Sequence, residues 1–80
     1  MAKVVFPDHL QKYTKGVKEI DVPCTNFRNL LTELNTKWPG INEVLEETAV
    51  AIDGQIFQDA WLEEIQPQSE VFFMQRIEGG

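Results

Sequence analysis

The chain has 80 residues, 42% of them hydrophobic and 25% charged, which predicts one folded domain near the lower size limit for a core without disulfides or metal. Thirteen acidic and seven basic residues give a net charge of −6, which disfavours nucleic acid and anionic membranes as direct partners and favours a basic protein surface. With one cysteine, no signal peptide and no apolar run long enough to span a bilayer, the expected location is the cytoplasm.

Two short strands are predicted at the start of the chain. Residues 2–6 are a β-branched and aromatic run that stops at Pro7, which has no N–H to donate to a ladder. In residues 17–22, Ile20 and Val22 alternate with acidic residues, which is the period of a half-buried strand. The polar segment 8–16 is therefore expected to be a hairpin connection.

One long helix is predicted after the second strand. Its apolar residues recur at spacings of three and four on one stripe, which comprises Phe27, Leu30, Leu31, Leu34 and Trp38. Thr25 or Asn26 is expected to cap the N-terminus, and Pro39-Gly40 to end the helix. The stripe is expected to cover one face of the sheet.

A second helix of one or two turns is predicted from Ile41, Val44 and Leu45, which lie at i, i+3 and i+4. The glutamates of the second half are expected to form a solvated face, with an acidic docking surface as the alternative. These glutamates are Glu43, Glu46, Glu47, Glu63 and Glu64.

Two further strands are predicted at residues 49–53 and 55–57, because Asp53-Gly54 between them is a tight-turn signal. The stretch that follows, with Trp61 and Leu62, is too short and irregular to assign to an element. A turn at residues 67–69 then leads into the last strand.

The last strand is apolar on both faces and continues into Gly79-Gly80. Residues without a Cβ can enter a channel that any side chain would block, and they leave the last carbonyl open to attack. This combination suits a carrier whose terminus is modified inside the active site of another protein.

The order of the elements predicts an α+β roll. We expect a mixed sheet of four to five strands packed on the main helix, with the short second helix at one end. The first and last strands should be central and parallel, and the helical crossover should be right-handed.

These features together resemble the ubiquitin-like β-grasp proteins, and more narrowly the ThiS/MoaD family of sulfur carriers. The resemblance rests on the element order, the Asp53-Gly54 turn, the run Glu70-Val71-Phe72-Phe73 and the terminal Gly79-Gly80. Residues 13–20 and 38–41 are similar to the MoaD branch.

The chain departs from the family pattern in two places. Members commonly carry Gly-Asp-Glu-Val before the last strand, where this chain has Gln-Ser-Glu-Val at residues 68–71. Molybdopterin-type carriers often have prolines before the final glycines, where this chain has residues 74–77, Met-Gln-Arg-Ile.

The resemblance implies a β-grasp domain over residues 1–76 and a flexible tail over residues 77–80, in which Gly79 precedes the reactive Gly80. An E1-like adenylating enzyme of the ThiF/MoeB type would use ATP to adenylate the Gly80 carboxylate. A sulfur donor such as a cysteine desulfurase or a rhodanese would convert it to a thiocarboxylate, and a synthase would accept the sulfur. The chain itself would be no enzyme and would bind no cofactor.

The receiving pathway stays open among molybdopterin, cysteine, thiamine and tRNA thiolation, with the MoaD-like branch favoured.

By resemblance to the register of ubiquitin, Val71 and Phe73 point into the core, and Phe72 and Met74 point outward. An exposed apolar pair beside the tail would bind the partner, and the alternative is that a terminus or loop covers it. The predicted partner-binding residues are Phe72, Met74, Arg76 and Ile77.

Two other functions remain as alternatives. The chain could be a protein modifier that is conjugated through Gly80 to target lysines, or a noncovalent interaction module in which the glycines are idle. Cys24 and His9 lack the partners and spacing of a nucleophilic or metal site, and no acid/base pair or phosphate loop is present.

Overall fold

A mixed sheet of five strands, packed against two helices, makes up the computed structural model, which describes residues 1–75. The elements in chain order are β1 (Ala2–Val5), a short 3-10 helix (Asp8–Leu10), β2 (Glu19–Val22), α1 (Phe27–Lys37), α2 (Ile41–Leu45), β3 (Thr48–Ile52), β4 (Gln55–Phe57) and β5 (Glu70–Gln75). The predicted fold class is therefore confirmed. The predicted tail, residues 77–80, lies outside the described residues.

The last strand runs through the middle of the sheet, whose order is β2-β1-β5-β3-β4. On one edge β5 pairs parallel with β1, with Val71 opposite Val4, and on the other it pairs antiparallel with β3, with Phe73 opposite Val50. The predicted parallel pairing of the first and last strands is confirmed. Both edges of β5 are thereby occupied.

The first connection differs from the prediction. The strand predicted from residue 17 begins at Glu19, and the predicted hairpin connection contains a 3-10 helix. Leu10 is fully buried, so this segment folds onto the core instead of looping through solvent. The buried hydroxyl of Thr14 donates to the carbonyl of Val17 at 2.8 Å, which closes the segment before the strand starts.

Helix α1 begins after Asn26, one of the two predicted N-cap residues. Asn26 has an extended backbone, and its side-chain Oδ1 accepts a hydrogen bond from the backbone N–H of Asn29 at 2.7 Å. The Asn29 side chain in turn accepts from the N–H of Thr25 at 3.2 Å. Asn26 therefore satisfies one of the free N–H groups of the first turn.

The predicted stripe of α1 is confirmed as the core face, because all five of its residues are buried. The Trp38 ring meets the Phe6 ring edge-on at 5.6 Å, and the Phe27 ring lies 6.0 Å from that of Phe73. On the facing sheet, Val22, Val71 and Phe73 are buried, and Ile20 is only partly buried. Helix α2 adds Ile41 and Leu45 to the same cluster.

The turn between β3 and β4 is tied to the start of β5. Asp53 (φ 50°) and Gly54 (φ 85°) both have the positive φ that the tight hairpin turn requires. The Asp53 carboxylate accepts hydrogen bonds from the Ser69 hydroxyl at 2.7 Å and from the backbone N–H of Glu70 at 2.9 Å. These two hydrogen bonds hold the pKa of Asp53 below its usual value, and the bond from Ser69 has the larger effect. Ser69, at the departure from the family pattern, is thus structural.

This hydrogen-bonded carboxylate predicts a pH dependence. Because the folded pKa of Asp53 is lowered, its stabilisation is present above the unfolded pKa of about 4 and is lost as the pH falls through the folded pKa. Asp53→Asn keeps a residue that tolerates positive φ but removes the charge. We expect it to lower the free energy of unfolding at pH 7 by roughly 1 kcal/mol or less, since the group is exposed.

Urea titrations of both proteins between pH 7 and pH 2 would measure this. The gap between Asp53→Asn and the native chain should close on acidification, whereas the exposed control Glu47→Gln should show no such gap. A gap that stayed constant across the range would show that the turn geometry, and not the carboxylate, supplies the stability.

Candidate partner-binding face beside the last strand

The two faces of β5 are assigned by burial. Val71 is fully buried and Phe73 is 3% exposed, whereas Phe72 is 39% exposed and Met74 is half-buried on the opposite face. The predicted orientation of the four side chains is confirmed, and neither Phe72 nor Met74 is fully covered. Their partner-binding role stays a prediction. Of the other predicted site residues, Arg76 and Ile77 lie outside the described residues, as do Gly79 and Gly80.

The strand register places Phe72 in an apolar row across the outer face of the sheet. Phe72 lies between Val5 on β1 and Ala51 on β3, and Ala51 lies opposite Ile56 on β4. Ile56 is 61% exposed, and Val5 is half-buried. We call the residues of this face the outer patch, which comprises Val5, Ala49, Ala51, Ile56, Phe72 and Met74.

Ile56 and Val5 were missed by the sequence reasoning. Val5 has apolar neighbours on both sides and Ile56 is followed by Phe57, so alternation alone does not say which residue faces outward. The pairing of Ile56 with Ala51, and of Val5 with Phe72, decides it. A register assigned from the two-residue Asp53-Gly54 turn would have found Ile56, because that turn fixes the pairing of β3 with β4.

Acidic side chains border the outer patch on the β1–β2 side. Lys3 Nζ lies 3.1 Å from the Glu19 carboxylate, and both side chains are exposed. The pKa of Lys3 is raised by its hydrogen bond to Glu19, then by the charge of Glu19, with smaller contributions from Glu70 and Asp21. Three carboxylates thus surround one ammonium group. This margin is complementary to a basic partner surface.

Cys24 and His9 are not brought into a reactive group. Cys24 is half-buried against the core, and burial raises the pKa of its thiol, which lowers the thiolate fraction. His9 is exposed on the 3-10 helix. Within residues 1–75, no group of three or more His, Cys, Asp and Glu side chains could hold a metal ion. No helix of those residues is long and apolar enough to cross a bilayer.

No protein-family model and no curated protein sequence matches the chain. Solved structures do match. A chain of the BexX/CysO complex of Amycolatopsis orientalis superposes with a TM-score of 0.86 at 15% identity, over 100% of both chains. CysO of Mycobacterium tuberculosis, described as an antigen, gives 0.84 at 16% identity over 96% of this chain and 100% of its own.

The small archaeal modifier protein 1 of Methanosarcina acetivorans gives a TM-score of 0.80 at 16% identity, over 99% of this chain and 95% of its own. These matches span the whole sheet and both helices. The chain has the ubiquitin-like β-grasp fold. At such low identity the likeness concerns the β-grasp architecture, and function must be argued from the residues of the site.

In this β-grasp domain, α1 covers one face of the sheet and the outer patch occupies the other. The core-face residue Val50 is followed in β3 by Ala51 of the outer patch, as the pleat requires. A partner that covers the outer patch therefore does not need to displace the helix. It would contact β5 directly, on the strand that leads to Gly79-Gly80 in the sequence.

Proposed function

We propose that this chain is a sulfur carrier whose Gly80 carboxylate is adenylated by an E1-like enzyme and converted to a thiocarboxylate. The observation that carries the proposal is the position of β5. This strand is fixed on both edges by β1 and β3, bears the exposed Phe72 and precedes Gly79-Gly80 in the sequence. The β-grasp fold shared with the CysO chains supports the same function.

The chemistry needs activation because a carboxylate resists attack by an anionic sulfur. A Gly80 oxygen would attack the α-phosphorus of ATP, and the bond to pyrophosphate would break. The terminal sulfur of a donor persulfide would then attack the Gly80 carbonyl and expel AMP. A thiol reductant would cleave the remaining S–S bond, leaving a thiocarboxylate on Gly80. All acid/base groups and the ATP site would belong to the partner, so the chain is a co-substrate.

The outer patch would supply the contact that holds the carrier on its adenylating enzyme and on the sulfur-accepting synthase. Residues 13–20 and 38–41 favour the MoaD-like branch, in which the sulfur goes to molybdopterin or cysteine synthesis ahead of thiamine or tRNA thiolation. A sulfur donor of the cysteine desulfurase or rhodanese type fits this scheme. We place the reaction in the cytoplasm, in keeping with the single half-buried cysteine.

Intact-mass analysis tests the proposal. The chain is incubated with the adenylating enzyme of its source organism, ATP and a sulfur donor, and the mass is read before and after. A shift equal to one oxygen replaced by sulfur, dependent on ATP, is the expected result. An unchanged mass with an enzyme that thiocarboxylates its own known carrier in the same mixture would refute it.

A second candidate function is a protein modifier, favoured by the similarity to the small archaeal modifier protein 1. The activated Gly80 carbonyl would then be attacked by a lysine amine of a target protein, forming an isopeptide bond and releasing AMP. Immunoblots of native cells separate the two functions. Higher-mass conjugates that disappear when Gly80 is deleted would identify a modifier, and a single free band would favour the carrier.

The outer patch predicts a separation of binding from stability. Phe72→Ser should leave the melting temperature within a few degrees of the native value, because the side chain is 39% exposed. It should weaken binding to the adenylating enzyme by roughly tenfold or more, as for a central apolar contact. Calorimetric melting and a titration of the enzyme would measure the two effects.

The matched control is Phe73→Ser on the core face, which should unfold the protein instead. Native binding by a folded Phe72→Ser variant would show that the outer patch is not the contact surface. Ile56→Ser should weaken binding as well, because Ile56 belongs to the same row.

A further inference from the structure

A groove of about 480 Å³ opens on the helix side of the sheet, opposite the outer patch. Its apolar wall comes from α1, α2, β3 and the loop that follows β4, and includes Leu31, Leu45, Val50 and Trp61. Two carboxylates, Glu46 and Asp59, also line it. We call this feature the helix-side groove. Nothing in the sulfur-carrier chemistry uses it.

The loop wall of the groove is held in place by backbone hydrogen bonds to the start of α1. The Phe27 N–H donates to the Glu63 carbonyl at 2.9 Å, and the Ile65 N–H donates to the Thr25 carbonyl at 3.0 Å. The Asp59 side chain accepts from the Trp61 N–H at 3.2 Å. The groove is therefore preorganised, and binding of a ligand would cost little conformational entropy for ordering the loop.

This fixed loop exposes large apolar side chains. Trp61 is 47% exposed and Leu62 is 82% exposed. The Arg28 guanidinium lies 5.8 Å from the centre of the Trp61 ring, so the ring already has one cation over its face. A small domain gains no core stability from an exposed tryptophan and leucine. Exposed apolar side chains grouped beside a groove mark a candidate protein-docking site.

The charges select the occupant. Two carboxylates, Glu46 and Asp59, line the groove against the Arg28 guanidinium at the Trp61 ring, and the whole protein carries −6. A second copy of this chain or an acidic tail would bring like charges together. We propose that the helix-side groove binds a segment of a partner protein that presents an apolar side chain flanked by lysine or arginine.

The two docking surfaces lie on opposite faces, so one carrier can hold two partners at once. The outer patch would contact the enzyme that works on Gly80, while the helix-side groove tethers a second, basic protein. This inference goes beyond the proposed function and does not need Gly80 to be activated. The β-grasp domain would act as an adaptor as well as a carrier.

The test is a two-dimensional NMR titration of the full chain with a short capped peptide of sequence Gly-Arg-Leu-Phe-Arg-Gly. Amide shifts are expected at Leu45, Glu46 and residues 58–62, with none at Ile56 or Phe72. The same peptide with glutamate in place of both arginines is the charge control and should bind at least about threefold more weakly. Salt should weaken only the arginine peptide.

Three variants test which side chains of the groove contribute to binding of the arginine peptide. Asp59→Asn with Glu46→Gln removes both groove carboxylates and should weaken the arginine peptide by about three- to tenfold. Trp61→Ala should weaken it by roughly tenfold or more. The matched control, Glu33→Gln, removes a carboxylate from the exposed side of α1 outside the groove and should change nothing. Unchanged spectra of the free variants establish that they fold.

Four results would overturn the inference. They are equal binding of the glutamate peptide, shifts centred on Ile56 and Phe72, no saturable shift up to the solubility limit, and a dimer in sedimentation that Leu62→Asp abolishes, which would assign the groove to a second copy. If Trp61→Ala does not fold, the double carboxylate variant decides alone. No ATP is used, so the outcome is independent of thiocarboxylate formation.

Discussion

Deletion of Gly80 is expected to abolish thiocarboxylate formation and to leave the melting curve unchanged. The deletion moves the reactive carboxylate back by up to about 3.3–3.6 Å. Adenylation works by positioning, and a misplacement of that size costs on the order of 100-fold or more in rate. Folding is not expected to respond, because the last core residue in the described part of the chain, residues 1–75, is Phe73.

Gly79→Ala and Gly79→Leu test the bulk of the tail separately from its length. Both keep the length of the tail, so any loss comes from the added side chain and from restricted φ. The alanine variant should react more slowly than the native chain, and the leucine variant more slowly still. Each variant is read by intact mass and by melting. Full thiocarboxylate formation without Gly80 would refute the carrier proposal. A large drop in the melting temperature of these variants would mean that the tail contributes to the stability of the fold.

Leu30→Ala is expected to destabilise the domain by about 2–5 kcal/mol. Leu30 is fully buried on α1, so truncation leaves a cavity between the helix and the sheet. Domains of this size have only about 5–15 kcal/mol of stability in total. For a chain of this length each kcal/mol lowers the melting temperature by roughly 4–8 °C, so a drop of at least about 8 °C should appear in calorimetry.

The control for the core prediction is Glu33→Ala on the exposed side of the same helix. This variant also introduces an alanine into α1 but removes no buried volume. Its free energy of unfolding should differ from that of the native chain by no more than about 0.5 kcal/mol. Equal effects of the two substitutions would mean that α1 is held by something other than its apolar stripe.

Most of the fold could be predicted from the sequence because local signals and hydrophobic period agreed. The capping pair Thr25 and Asn26, the stripe through Leu31 and the Asp53-Gly54 turn all predicted elements that the structure contains, with Asn26 as the cap. The interior of the first connection was not predictable, because Leu10 is a single apolar residue in a polar segment and no period marks it as core.

The candidate site was only partly predictable for a related reason. The outward direction of Phe72 follows from alternation once one face of β5 is assigned to the core. Its neighbours Val5 and Ile56 come from strands distant in sequence, and only the register brings them together. The helix-side groove depends on the loop that holds Trp61, and hydrogen bonds between segments far apart in the chain fix that loop.

The central place of β5 also bears on how the protein is made. Without residues 70–75 the sheet would fall into two unconnected hairpins, β2-β1 and β3-β4, because β5 is the only strand between them. A nascent chain therefore cannot complete this sheet until residues 70–75 have left the ribosome. Products of premature termination would stay unfolded and be degraded. Under the proposed function, this degradation would remove chains that lack the strand leading to Gly80 before they occupied an adenylating enzyme unproductively.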